Sequence, residues 1–253
     1  MKPKHILVIR LSAMGDVAMT IPVLQQLLQQ NPQIHLTVLT RQLFVPLFDS
    51  LPRTSVFPVE TKGRHKGVTG LFKLYRELRK QHQFDAVADL HNVLRSKLVR
   101  FLFSSAGIKS AAIDKGRKEK KQLTAKAHKK LVPLKTGFQR YADVFNSLGF
   151  PVALNTAQQT FPRQDLPSSA SSLFVSPKAK ICFAPFAKHD AKMYPVEKLK
   201  NIIRNFAAKE GYQVFLLGGG KVETMALNEW EKEFGATINL SGRYSFREEL
   251  AII

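Results

Sequence analysis

The chain has 253 residues, 44% of them hydrophobic, and carries 39 Lys and Arg against 19 Asp and Glu, a net charge of +20. That length and apolar content exclude a disordered tail and allow one large domain or two small ones; the single cysteine, Cys182, excludes an internal disulfide and fits a reducing, cytoplasmic compartment. No apolar run approaches the ~20 residues of a membrane-spanning helix, and the short run near the N-terminus is followed by Asp16 and does not read as a signal peptide.

HILVIRL (5–11) reads as a buried strand, and residues 17–30 as a helix with Val17, Ile21, Leu24, Leu27 and Leu28 on one face; Pro22 predicts a kink or a late start. IHLTVLT (34–40) is a second strand, rich in β-branched residues. LFKLYRELRKQ (71–81) follows as a helix and FDAVADL (84–90) as a strand. Residues 107–135 break this pattern with a run of lysines and arginines, and a helix over roughly 136–148 closes at Gly149. Residues 150–178 are poor in periodicity and rich in Pro and Ser, the best linker candidate. A second series then runs strand 179–186, helix 196–211, strand 212–220 with a glycine turn, helix 221–234, strand 236–242 and a helical segment from Phe246. Strands separated by helices predict parallel sheets of the βαβ kind: an α/β fold of two Rossmann-like domains facing a cleft. The expected division is 1–160, a linker at 161–178, and 179–253.

The loop after a parallel strand's C-terminal end faces the ligand crevice, so Asp16 is the first candidate for chemistry. It suits a helix N-cap and it suits a general base; a carboxylate near a helix N-terminus is stabilised in its charged form, so the two readings are compatible. No GxGxxG follows the first strand, which removes the main support for a nucleotide-dependent oxidoreductase. His91, Asn92 and Arg95 follow the strand 84–90 on the crevice side, with Asn92 or Ser96 as alternative helix caps. Lys188 and Lys192 lie in the loop after strand 179–186, and Gly218, Gly219 and Glu223 in the glycine turn and helix start after strand 212–220, where backbone amides can approach a phosphate. The seven histidines and one cysteine show no metal-ligand spacing, so no metal is expected. The basic runs 62–66, containing Arg64 and Lys66, and 115–130 read either as solvated loops or as sites for an anionic partner.

Five motifs in order carry a family resemblance. IRLSAMGDVAMTIPVLQQL (9–27) is similar to the opening of the family 9 glycosyltransferases, the ADP-heptose:lipopolysaccharide heptosyltransferases. FDAVADLHNVLRSKLV (84–99), AKMYPVEKL (191–199, with Tyr194 where the family has tryptophan), VFLLGGGKVE (214–223) and INLSGRYSFREELAII (238–253) resemble its later elements. The resemblance implies a GT-B fold with an N-terminal acceptor domain and a C-terminal nucleotide-sugar domain. It implies inverting transfer of heptose from ADP-heptose to the lipopolysaccharide inner core (Kdo-lipid A or a heptosyl acceptor). It also implies that Asp16 is the base; that Lys192, Lys188, Gly218, Gly219 and Glu223 bind the donor; and that Arg64, Lys66, His91, Asn92 and Arg95 bind the acceptor. No cofactor beyond the donor substrate is implied. The acceptor would place the protein on the anionic inner membrane surface, where Lys and Arg gain about 1 kcal/mol each. By the same resemblance further chain is expected beyond Ile253, with a phosphate-binding element missing here, so the second domain reads as truncated and this stretch alone as an inactive fragment. The alternative is a basic α/β module that binds nucleic acid or membrane without catalysis; the basic runs lack interleaved aromatics, which disfavours nucleic acid.

Overall fold

The computed structural model describes residues 4–129, 131–155, 165–187 and 189–253. It divides into two compact units, Met1–Pro162 and Arg163–Ile253. In the first, β1 (Lys4–Ile9), β2 (Ile34–Thr40), β3 (Thr54–Pro58), β4 (Ala86–Asp89) and β5 (Lys109–Ala112) form one parallel sheet in the order β3-β2-β1-β4-β5. The order reverses between β1 and β4, and in such sheets that switch point is where ligands enter.

Strand β1 is buried on both faces, and its residues alternate between two cores. Ile6 and Val8 pack with Leu24 and Leu27 of α2 (Ile21–Gln30) and Phe145 of α6 (Gly137–Leu148). Leu7 and Ile9 pack with Leu74 and Leu78 of α3 (Gly67–Gln81) and Phe103 of α4 (Leu94–Ser105). Each such side chain withdrawn from water contributes about 1.5–3 kcal/mol, which fixes the strand at the centre of the sheet.

The helix expected over 17–30 is two helices, α1 (Met14–Ala18) and α2, and Pro22 sits in the first turn of α2, where its missing N–H costs no helical hydrogen bond. Helix α6 ends as expected, with Gly149 at φ 92° supplying the left-handed cap. Strand β3 and the 3₁₀ segment Gln42–Phe48 have no counterpart in the sequence reading. The basic stretch 107–135 is also more ordered than a loop: it contains β5 and α5 (Arg117–Leu123), and Glu119 of α5 pairs at 2.6 Å with Arg140 of α6.

In the second unit β6 (Ala179–Phe183), β7 (Tyr212–Leu216) and β8 (Thr237–Asn239) form a parallel sheet in that order. Val214 and Leu216 face Ile203 of α7 (Val196–Ala207) and Leu227 and Trp230 of α8 (Lys221–Phe234). On the other face, Phe215 packs with Leu240 and with Ile252 of α9 (Phe246–Ile252). Ala170, in a 3₁₀ turn over Ser168–Phe174 within the stretch read as a linker, joins that cluster. Among the described residues no helix is long and apolar enough to cross a membrane.

At the N-terminal edge of the first sheet, His5 donates or accepts at Thr37 Oγ1 (2.9 Å), and its ring centre lies 4.4 Å from that of His82 with the planes tilted by 53°. Burial, and then the neighbouring His82 and His35, push its pKa down to about 4 against the opposing pull of Asp85. Between pH 6.5 and 4 the unfolded chain therefore binds a proton that the native protein refuses, and stability falls as pH falls through that window. His5→Asn is expected to flatten this part of the acid limb in thermal unfolding followed from pH 7 to 4; a limb as steep as the wild type's would contradict it.

Candidate active site

The site forms where β1 and β4 end. Arg10, the residue after β1, has its side chain only 7% exposed. Its Nη1 donates to the carbonyl oxygen of Leu90, just past β4, at 2.6 Å, and its Nη2 lies 2.5 Å from Oδ2 of Asp16. The guanidinium also sits 5.7 Å from the ring centre of Tyr141 of α6, whose hydroxyl donates to the Asp16 carbonyl oxygen at 3.2 Å. Thr40, at the end of β2, donates through its hydroxyl to the Arg10 carbonyl oxygen at 2.7 Å. Asp16 is thus held through side chain and backbone, while its own side chain stays 43% exposed.

The N-cap position of α1 belongs to Ala13, and Asp16 stands three residues into the helix, reaching back to the Ala13 N–H at 3.4 Å. The N-cap reading is corrected accordingly: the carboxylate closes the helix start from inside the first turn. Both of its contacts use Oδ2, and among the described residues Oδ1 takes no hydrogen bond. One oxygen is anchored and the other is free to accept a proton.

Beside it, His91 Nε2 lies 3.5 Å from Ser12 Oγ. Burial first, then Arg10 and Lys115, lower its pKa to about 4, with Arg41 adding to the effect and Asp16 opposing it, so His91 is neutral at pH 7. The turn carrying His91 is built by Asp89, fully buried at the end of β4, whose Oδ1 accepts the N–H groups of His91 (3.0 Å) and Asn92 (2.7 Å). Asn92 takes a left-handed conformation (φ 47°) and donates its side-chain amide to Ile113 at 2.8 Å. It is a turn residue and not the cap of α4; that end is closed by Ser96, whose hydroxyl accepts the Val93 N–H at 3.0 Å. Lys115 faces the same charges: burial, then Arg10 and Arg117, hold its pKa below the usual lysine value while Asp89 and Asp16 pull the other way.

The structure thus brings Asp16, His91 and Asn92 together with Lys115, from the basic run 115–130, and adds Arg10 and Tyr141, which sequence reasoning missed. Arg10 left a trace in the sequence, as the one charge in an otherwise apolar run. Other expected acceptor residues lie elsewhere in the first unit. Arg64 is engaged by Glu60 (3.4 Å) and Glu77 (3.1 Å), Lys66 occupies the exposed N-cap of α3, and Arg95 lines a groove between α3 and α4.

In the second unit the candidate donor residues sit on two connections, β6 to α7 and β7 to α8, which a parallel sheet places at its C-terminal edge. Lys192 is exposed in a 3₁₀ turn over Asp190–Lys192. Lys188 lies outside the described residues. Gly219 donates its N–H to Glu223 Oε2 at 2.8 Å, so the Glu223 carboxylate closes the glycine turn on itself. Packing favours glycine at 218, since a Cβ there would lie 2.7 Å from Leu227 Cδ1 and 3.2 Å from Glu223 Oε2. Among the described residues no His, Cys, Asp and Glu cluster could hold a metal ion.

The family model for glycosyltransferase family 9 (heptosyltransferase) matches residues 71–253. The lipopolysaccharide core heptosyltransferase OpsX of Haemophilus influenzae is 32% identical over 108 residues, 43% of this chain and 28% of that protein, so the match spans little more than a quarter of that relative. The crystal structure of a family 9 glycosyltransferase from Veillonella parvula superposes with a TM-score of 0.74 at 20% identity, over 100% of this chain and 74% of that one. The E. coli heptosyltransferase WaaC with ADP-2-deoxy-2-fluoro heptose gives 0.65 at 18% identity, over 93% and 76%. At these identities the two structures establish the fold, an α/β GT-B-like arrangement of parallel sheets. With nearly three quarters of its length matched by the family model, the chain belongs to glycosyltransferase family 9, the heptosyltransferases.

Proposed function

We propose that this protein is an inverting glycosyltransferase that moves a heptose from ADP-heptose to the inner core of lipopolysaccharide on the cytoplasmic face of the membrane. The observation that carries the reading is the Asp16 carboxylate at the sheet's switch point, pinned through one oxygen by buried Arg10 and open at the other. Oδ1 of Asp16 removes the proton from the acceptor hydroxyl as that oxygen bonds to the anomeric carbon of the donor. The bond from that carbon to the diphosphate breaks on the opposite face, and ADP departs with the electron pair. Removal of the proton by a positioned carboxylate contributes about 10²–10⁴-fold.

Family membership and the WaaC donor-analogue complex support ADP-heptose as donor. In the second unit, Lys192 neutralises the charge that gathers on the leaving diphosphate, a role filled by a side-chain cation and not by a metal. The Gly218–Gly219 turn takes the rest of the nucleotide, and Glu223 shapes that turn through the Gly219 amide. In the first unit, His91 stays neutral beside the acceptor and offers a hydrogen bond without adding charge, with Asn92 on the same turn, while Arg64, Lys66 and Arg95 meet the acidic groups of the acceptor farther out.

Asp16→Ala is expected to cut ADP release with a soluble, deacylated acceptor by about 10²–10⁴-fold while leaving the circular dichroism spectrum unchanged; near wild-type turnover would refute the base assignment. Arg10→Gln should lower kcat more than it raises KM, and because Arg10 acts through Asp16, the double variant should be no slower than Asp16→Ala alone. Independent, multiplying losses would assign Arg10 a separate role. For Lys192→Ala, loss of one charge-assisted contact predicts about a 10–100-fold fall in kcat/KM for the donor; unchanged donor kinetics would remove Lys192 from the site.

A further inference from the structure

The transfer reaction leaves one large surface feature unused. Between α3 and α4 lies a groove of about 690 Å³ with Leu71 and Leu98 in its lining. Around it stand Val68, Leu94 and Phe101, exposed to 71%, 86% and 64%. Phe72, one turn beyond Val68, is exposed as well.

These residues repeat by design of the helices. Leu94, Leu98 and Phe101 fall on one stripe of α4, while Val99 and Phe103 make a second stripe that is buried against the sheet. On α3, Leu71, Leu74 and Leu78 face the core, and Val68 and Phe72 do not. A helix that needs only to cover a sheet carries polar residues on its outer face, and an apolar outer face of this extent marks an interaction site.

The charges of the same two helices restrict what can cover it. They carry Lys73, Arg76, Arg79, Lys80, Arg95, Lys97 and Arg100 against one acid, Glu77, which is held at 3.1 Å by both Arg64 and His65. Exposed Lys62 and Lys66 extend the positive field before α3. Lysine is depleted at the centre of protein–protein interfaces, whereas protruding Leu, Phe and Val ringed by Lys and Arg match the boundary between acyl chains and anionic headgroups.

We propose that the α3–α4 face docks on an anionic lipid bilayer, with Val68, Phe72, Leu94 and Phe101 seated in the interface and the surrounding lysines and arginines on the headgroup phosphates. Leu94 opens α4 directly after the His91–Asn92 turn, so docking brings the edge of the sheet that carries Asp16 to the lipid surface. The proposal rests on the proposed function for its purpose, the presentation of a lipid-anchored acceptor, but its test does not.

Purified protein is sedimented with vesicles of phosphatidylglycerol and phosphatidylethanolamine, and with phosphatidylcholine alone. Three charge-altered variants are compared: Leu94→Glu with Phe101→Glu, Lys73→Glu with Lys97→Glu, and, as a control on α5 whose charge change equals that of the Lys73 and Lys97 pair and exceeds that of the first, Lys118→Glu with Lys121→Glu. Partition onto the anionic vesicles should fall about tenfold or more for the first two and little for the control. An equal fall in the control, or none in the groove variants, would overturn the proposal. So would loss of self-association by Leu94→Glu with Phe101→Glu while vesicle partition holds, which would assign the groove to a second copy of the chain. Transfer to the soluble acceptor should be unchanged in the groove variants. If the wild type transfers no heptose yet the vesicle result stands, the enzymatic reading fails and the docking face survives.

Discussion

One buried cation organises the C-terminal edge of the first unit's sheet. Arg10 leaves the central strand with its guanidinium withdrawn from water, and burying a charge is costly unless it is paired and hydrogen-bonded. The chain meets that demand by bringing three elements to the same place: the end of β4 through the Leu90 carbonyl, the first turn of α1 through Asp16, and α6 through the ring of Tyr141. The same contacts that keep Arg10 in the interior hold a half-exposed carboxylate in a fixed orientation. The orientation of the carboxylate is therefore set by the fold itself, through contacts from three separate elements.

The fields around this ion pair explain the rest of the edge. His91 is kept neutral by burial and by Arg10, and it sits on a turn whose amides are gathered by Asp89. Lys115, from the connection between β5 and α5, brings further positive charge to the mouth of β1. Arg10 and Lys115 thus surround the half-exposed Asp16 carboxylate with positive charge.

The second unit offers a different set of groups. Its candidate donor contacts are an exposed lysine on a short turn and backbone amides of a glycine turn, one of which already holds the Glu223 carboxylate. Gly218 has a packing role, since Leu227 occupies the space a side chain there would need. Helices α3 and α4 show the opposite economy: each covers the sheet with one stripe and exposes a second apolar stripe bordered by cations.

Periodicity and residue type alone determined the alternation of strands and helices, the parallel α/β class, the closure of α6 at Gly149 and the prominence of Asp16, because these follow from local geometry and from burial patterns along the chain. Strand β3 escaped because TSVFP is too short and too irregular for alternation to show, and α5 because its Lys-rich surface has no apolar stripe. Asp16 could be found by its place after a strand, but its partners could not. Arg10 meets Leu90 and Tyr141 across 80 and 131 positions, and nothing in local spacing records which strand ends a parallel sheet will set side by side. How the Asp16 carboxylate is held was likewise decided by the tertiary fold, since only the packed sheet places a buried guanidinium on its Oδ2.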